Sequence, residues 1–287
     1  MPREFMTSVT TNALVVIESL AEDERKTGRY LTEDLGALCL VKKFSVYRFE
    51  LGSSAEFRVA TQNLVKRARE DGLRPILHLD VHGLSDKSGL LFHPSRSTMK
   101  WDEFGDLMRE VNRATKNNLL VVMGVCHGYS AILGTNIKKL TPFCILIGPG
   151  AEVTNQEVLR GFGPFYRALL DHGSITDAIA FLPPSYGQYS CERLFANLFA
   201  RHIHDNCTGK GRQQRVESLV TQARAVNATV SLRNLRRAAK KRTEPDSATF
   251  EKFRREFLMS AHPENHDRFS VTFKDVVSFD EAQPSVH

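Results

Sequence analysis

The chain has 287 residues, 41% of them hydrophobic, enough to bury a sizeable core without disulfide or metal staples. Its five cysteines, at 39, 126, 144, 191 and 207, show neither CxxC nor zinc-ligand spacing, which argues against a disulfide scaffold or a metal site and points to a reducing compartment. The net charge of +6 is unevenly shared: residues 1–190 hold 22 basic against 21 acidic side chains, and residues 191–287 hold 17 against 12.

No 18-residue apolar stretch occurs and the N-terminus lacks the apolar core of a signal peptide, so a cytoplasmic protein without membrane contact is expected. Met6 supplies a second start, and the five residues ahead of it are set aside. Residues 13–19 (ALVVIES) read as a buried strand. A helix is placed near 32–39, and 44–51 (FSVYRFEL) alternates with period two, as a strand near an edge does. Residues 54–70 carry Phe57, Ala60, Leu64 and Ala68 at helical spacing and end at Asp71-Gly72, before a strand at 75–81. A small hairpin follows, with arms at 90–92 and 99–101, placed as a wall or lid beside that strand's end. Asp102 is the expected N-cap of a helix with Phe104, Leu107, Met108 and Val111 on one face. Asn117-Asn118 then turns into a second buried strand, 119–123. Beyond it come a helix over 129–140, a strand over 143–147 and a tight turn at Gly148-Pro149-Gly150. A helix over 157–170, interrupted around 161–164, is closed by Asp171-His172-Gly173, and Ser174 caps one more.

Strands alternating with helices this far predict an α/β fold in three layers, a mostly parallel sheet flanked by helices. The pattern changes at Pro183-Pro184, which suggests a domain over 1–187 and a mainly helical, basic C-terminal extension over 188–287. The extension reads as a helix at 190–204, a loop at 205–211, one or two helices over 216–239, an amphipathic helix at 246–259 and an edge strand at 268–273, with fraying afterwards. Its densest run, RNLRRAAKKR, holds Arg233, Arg236, Arg237, Lys240, Lys241 and Arg242 and no acid. Such a run is a candidate patch for nucleic acid or an acidic partner, with a solvated helix face as the ordinary alternative.

Chemistry concentrates at two strand ends. The run RPILHLDVHG finishes in His82-Gly83, and LLVVMGVCHG carries Cys126 just past its apolar stretch. In open parallel sheets reactive groups collect at the carboxyl edge, so neighbouring strands bring thiol and imidazole together there. A lone cysteine is more often a small buried hydrophobe; the coincidence of the two runs favours a site. His127, as the direct neighbour of the cysteine, projects another way. Asp80 lies two residues before His82, on the same side of a regular pleat, where it is placed to orient His82 or line a pocket; a salt bridge or an exposed strand end accounts for it equally well.

These blocks resemble the His-Gly and Cys blocks of the caspase-like (clan CD) cysteine peptidases, which include caspases, metacaspases and the CHAT peptidases. Cys126-His127-Gly128 is close to the Cys-His-Ser-Gly turn of metacaspases, and His82 stands 44 residues before Cys126, where caspases place their histidine roughly 50 upstream. FYRALLDHGSITDAI, residues 165–179, looks like the helix pair after the cysteine block of CHAT domains. The likeness covers residues 13–182. It implies a caspase-like fold and a cysteine endopeptidase without cofactor or metal, acting on a protein substrate under a regulatory partner, in the stress or antiviral roles CHAT peptidases often serve.

By the same resemblance Cys126 is the nucleophile, His82 the general base or acid, and the backbone N–H groups of Gly83 and Cys126 the oxyanion hole. Metacaspases carry an acid and caspases a glutamine two residues before the cysteine, lining the pocket for the residue before the cut. Here that position is Gly124, so selection for a basic residue loses its charge partner and a large apolar or neutral residue is expected, unless Asp80 or Asp86 restores a charge. Two other classes remain open: a catalytically silent caspase-like scaffold, and a basic module binding nucleic acid or a partner protein.

Overall fold

The structure, a computed structural model, describes residues 7–226 and 229–280. It divides into two compact units, residues 7–191 and residues from 192 onward. The first unit is a three-layer α/β fold. Its elements are β1 (Ala13–Ser19), α1 (Thr27–Val41), β2 (Ser45–Glu50), α2 (Ser54–Glu70), β3 (Pro75–Gly83), β4 (Gly89–Leu91), β5 (Thr98–Lys100), α3 (Trp101–Ala114), β6 (Leu120–Met123), a 3-10 helix (Gly128–Gly134), β7 (Ile145–Pro149), α4 (Asn155–His172), α5 (Ile175–Ile179) and β8 (Tyr186–Ser190).

The sheet order is β2-β1-β3-β6-β7-β8, parallel from β2 to β7, with β8 antiparallel at one edge and the β4–β5 hairpin continuing from the end of β3. All seven residues of β1 are buried, as a parallel strand covered on both faces requires, whereas β2 has no buried residue and is an edge. From β1 the chain steps one way to β2 and then back past β1 to β3, so right-handed crossovers put α1 and α2 on opposite faces. Accordingly α1 packs with α4, and α2 with α3. Along β3 the side chains alternate, and His78 meets the rings of Phe162 and Tyr166 on α4. His78, Asp80 and His82 therefore share the α1/α4 face.

Several expectations change. Helix α1 begins at Thr27, five residues before the expected start, because sheet carboxylates rather than a capping side chain engage its first amides. Helix α3 begins at Trp101 after an uncapped Lys100, leaving Asp102 inside the first turn, where its charge suits the helix dipole. Residues 129–140 hold one short 3-10 helix instead of an α-helix. Helix α4 is unbroken through Pro164, and its glycines mark close approach: a methyl on Gly161 would sit 3.3 Å from Leu182, and one on Gly163 3.2 Å from the Asp34 carboxylate of α1. Gly148-Pro149 belongs to β7, beyond its pairing with β6, so the missing proline N–H breaks no bond on that side. Strand β8 lies where no strand was expected and spans residue 187.

The second unit holds α6 (Cys191–Cys207), α7 (Gly209–Val226), α8 (Leu232–Arg242), α9 (Ser247–Leu258), a 3-10 turn (Pro263–Asn265) and α10 (Phe273–Asp280). Its core is aromatic: Phe195, Phe199, Phe250 and Phe257 are fully buried, with ring centroids 5.2–6.0 Å apart in successive pairs. The expected loop at 205–211 shrinks to a single break at Thr208. The expected strand at 268–273 is absent, because the Ser270 and Val271 amides donate to the buried Glu192 carboxylate instead of to a neighbouring strand. Where fraying was expected after 273 the chain forms α10, and residues 1–6 and those past 280 lie outside the described residues.

Candidate active site

The sheet order reverses at β1 and β3, and in open α/β sheets the crevice outside the carboxyl ends at such a reversal is where ligands bind. Three segments converge there: the β1–α1 loop, the end of β3, and the turn after β6. Two buried carboxylates on paired positions, Glu18 and Asp80, fix the first of them. Glu18 accepts the Arg29 amide at 3.1 Å and Arg48 Nη1 at 3.3 Å, and Asp80 accepts the Thr27 hydroxyl and the Gly28 amide. Asp80 is thus neither an exposed strand end nor in a salt bridge. Burial, reinforced by the Glu18 charge, pushes its carboxyl up to about 6 against the pull of Thr27.

The anchored loop presents Glu24. Its Oε2 accepts the Ala21 amide at 2.7 Å and lies 2.8 Å from His82 Nε2. Partial burial opposes its charge, but the bonds to His82 and Ala21 hold the Glu24 carboxyl below its ordinary range. An ionised Glu24 makes Nε2 the donor in neutral His82, which leaves Nδ1 with the lone pair and no partner among the described residues. Orientation of His82 therefore falls to Glu24, not to Asp80. The His93 ring stands edge-on to His82 at 5.2 Å. No group of three His, Cys, Asp or Glu side chains is placed to hold a metal ion among the described residues.

Of the five cysteines, all described, Cys126 alone is not buried. Its Sγ lies 3.5 Å from the Val153 amide, which donates to it, and 3.7 Å from the Val153 carbonyl. Gly83 is pressed against it: a methyl there would overlap the Cys126 carbonyl oxygen and come 3.4 Å from its Cβ. Any side chain at 83 would force the two segments apart. The Leu84 amide donates to the Gly89 carbonyl, so alternation along the antiparallel ladder leaves the Gly83 amide out of the β4 pairing. The Cys126 amide likewise has no backbone acceptor among the described residues. His82 and Cys126 do not hydrogen-bond to each other: the ring is turned to Glu24 and the sulfur to Val153.

His127 adopts a left-handed φ of 56° and turns away, its amide donating to Ala151 and its ring reaching the Gly150 carbonyl. Asp86 closes the exposed turn before β4 by accepting the Ser88 amide. The missing side chain at Gly124 does not open empty space, since a methyl there would touch Phe162 at 3.4 Å and Val158 at 3.6 Å. Those α4 side chains form an apolar wall, with the Tyr186 ring edge-on to Phe162 at 5.7 Å. The buried Tyr186 hydroxyl has no hydrogen-bond partner among the described residues, and burial together with the nearby Asp80, Cys126 and Glu157 drives its ionisation well up.

No protein-family model and no curated protein matches the chain. Among solved structures, the crystal structure of caspase-1 from Spodoptera frugiperda aligns with a TM-score of 0.42 and 13% identity, covering 63% of this chain and 81% of that one. The likeness is distant and of low identity, and the arrangement of His82 and Cys126 draws nothing from it.

Sequence reasoning missed Glu24, the Val153 backbone and Tyr186. Glu24 sits in EDERK, five consecutive charged residues with no periodicity to single one out. On the far side of Asp80 from the loop, a cavity of about 310 Å³ opens between α1 and α4, lined by Thr27, Tyr30, His78 and Phe162 among others. His78 is neutral there, burial holding it down at about 3, with Nδ1 3.0 Å from the Tyr166 hydroxyl.

Proposed function

We propose that this chain is a cysteine endopeptidase in which Cys126 attacks the scissile carbonyl of a protein substrate and His82 moves the proton. What supports this reading is that Gly83, next to His82, packs against Cys126, the one cysteine of the five that is not buried, while Glu24 orients the His82 ring. In the first step the thiol proton passes to His82 Nδ1 and sulfur bonds to the carbonyl carbon. Collapse of the tetrahedral intermediate expels the amine, which takes that proton, and water hydrolyses the thioester by the reverse relay. The amides of Gly83 and Cys126 receive the oxyanion, a role worth roughly 3–4 kcal/mol per donor. Glu24 keeps the ring in the productive tautomer and offsets the imidazolium charge.

The residue before the cut is placed beside Gly124 against the apolar wall of Phe162, Val158 and Tyr186, side chains that must shift to admit it. That wall, and an Asp80 already held by Thr27 and Gly28, support acceptance of a large apolar or neutral side chain. Burying such a side chain contributes about 1.5–3 kcal/mol.

A silent scaffold finds support in one observation, the lack of a direct His82–Cys126 hydrogen bond. Peptide-library cleavage by the wild type and by Cys126→Ala and His82→Ala decides between the two. The peptidase reading expects cleavage lost in both variants with melting temperatures nearly unchanged. Full activity in Cys126→Ala, or none in the wild type under any condition, contradicts it.

A further inference from the structure

The basic run of the second unit acquires a definite shape in the helical pair α7 and α8. Across residues 209–242 the chain carries ten Lys and Arg and a single acid, Glu217. At 100° per residue, Arg233, Arg236, Arg237, Lys240 and Lys241 fall within an arc of about 140° on α8. Leu235 and Ala239 lie on the far side, packed against Val216, Leu219 and Val220 of α7. Leu235 and Ala239 are therefore covered, Leu232 at the start of α8 stays exposed, and the basic stripe faces outward.

Two cations of the pair have structural roles. Arg236 forms a fork with Glu217 at 3.2 and 3.3 Å, and Arg212 closes the end of α8 by donating to the Lys240 carbonyl, Thr243 and Glu244. Arg233, Arg237, Lys240, Lys241 and Arg242 are exposed and have no ion pair among the described residues. On α2 of the first unit, by comparison, acids stand among the basic residues, and Lys66 pairs with Glu70, Arg67 with Asp71 and Arg58 with Glu103. A merely solvated helix face intersperses acids in that way. On α8, like charges stand four residues apart (233/237, 236/240, 237/241), a repulsion that opposes the helix and that a polyanion relieves.

We propose that this face of α8 binds double-stranded nucleic acid, with Arg233, Arg237, Lys240 and Lys241 contacting successive phosphates. The alternatives lack matching features. Insertion into an anionic membrane needs a broad uncovered apolar helix face, whereas on α8 Leu235 and Ala239 pack against α7 and Leu232 is the one large apolar side chain left exposed. Single-strand binding uses aromatic stacking platforms, and neither α7 nor α8 contains an aromatic residue. A protein partner is held by apolar or aromatic anchors, which the basic face also lacks. Phosphate contact alone is independent of base sequence and steep in salt.

The test is fluorescence anisotropy of the full chain with 20-base-pair DNA and RNA duplexes, the corresponding single strands, and phosphatidylserine vesicles, over a salt series. Duplex binding is expected to exceed single-strand and vesicle binding, and the DNA and RNA arms show which duplex is preferred. The variant R233Q/R237Q/K240Q/K241Q should lose more than tenfold in affinity and flatten the slope of log K against log salt by roughly 3 to 4. Should it fold poorly, R233Q/R237Q and K240Q/K241Q give half that change each. Unchanged affinity and slope in folded variants, a preference for single strands, or binding to vesicles in place of duplexes overturns the proposal.

Discussion

Asp80→Asn should make the unit of residues 7–191 more stable at alkaline pH and remove a defined part of its pH dependence. Asp80 is 3% exposed, and its carboxyl is raised from an ordinary 3.8 to about 6, so the folded state binds this proton more tightly than the unfolded state. At 1.36 kcal/mol per tenfold change in proton affinity, the difference is about 3 kcal/mol. That stabilisation is fully present below about 3.8 and lost as pH rises through about 6. Lowering the pH from 8 to 5 should recover about 1.4 kcal/mol of it. Asparagine carries no charge to desolvate, yet it weakens the bonds from Thr27 and Gly28, so a net gain of about 1–2 kcal/mol at pH 8 is expected. Urea unfolding at pH 5 and pH 8, followed through the chain's single tryptophan, the buried Trp101, reports this unit directly. The difference between wild type and variant isolates Asp80 from other titrating groups. An Asp80→Asn protein with the wild-type pH slope, or one destabilised equally at both pH values, would refute the reasoning.

Glu24→Gln should lower the cleavage rate about ten- to a hundredfold while moving the melting temperature little, because it keeps a hydrogen bond to His82 but not the charge; Glu24→Ala should lower it further, and steady-state kinetics beside a thermal melt separates rate from stability. Gly83→Ala must push the Cys126 carbonyl aside, so about 1–3 kcal/mol of stability should go together with nearly all cleavage, measured by urea unfolding and peptide turnover. In a peptide library, cleavage should follow Leu, Met, Phe or another large neutral residue; dominant cleavage after Arg or Lys that disappears in Asp80→Asn would give Asp80 the role of charge partner instead.

Legibility in the sequence followed burial. The strands ending near His82 and Cys126 were readable because a parallel strand covered on both faces is mostly apolar, without a break in residues 119–123 and interrupted only by His78 and Asp80 in 75–81. Strand β8 was not, since YGQYS is a short, half-exposed edge strand held by pairing with β7 rather than by apolar side chains. Gly161, Gly163 and Pro164 suggested a broken helix from local propensity, whereas the glycines serve close packing against neighbouring segments. The loop signal of DNCTGKG was overridden in the same way, with all but Thr208 drawn into α6 and α7. Glu24 and Tyr186 escaped for a different reason. What distinguishes them is a partner far along the chain or the lack of one: Glu24 finds His82 across 58 residues, and the Tyr186 hydroxyl finds none among the described residues.

Activation of Cys126 by a His82 that Glu24 orients can be read in the rate of iodoacetamide alkylation of Cys126 as a function of pH, followed by mass spectrometry. Exposure alone makes Cys126 react faster than the buried Cys39 or Cys144, so the informative comparison is Cys126 with itself across variants. Only the thiolate reacts, and an ordinary thiol near 8.5 is a few per cent ionised at neutral pH. The rate at pH 7 should be several-fold higher in the wild type than in His82→Ala, with Glu24→Gln between them, and all three should converge by about pH 10, where thiols ionise without help. Superimposable pH profiles in the wild type and His82→Ala would contradict activation by His82.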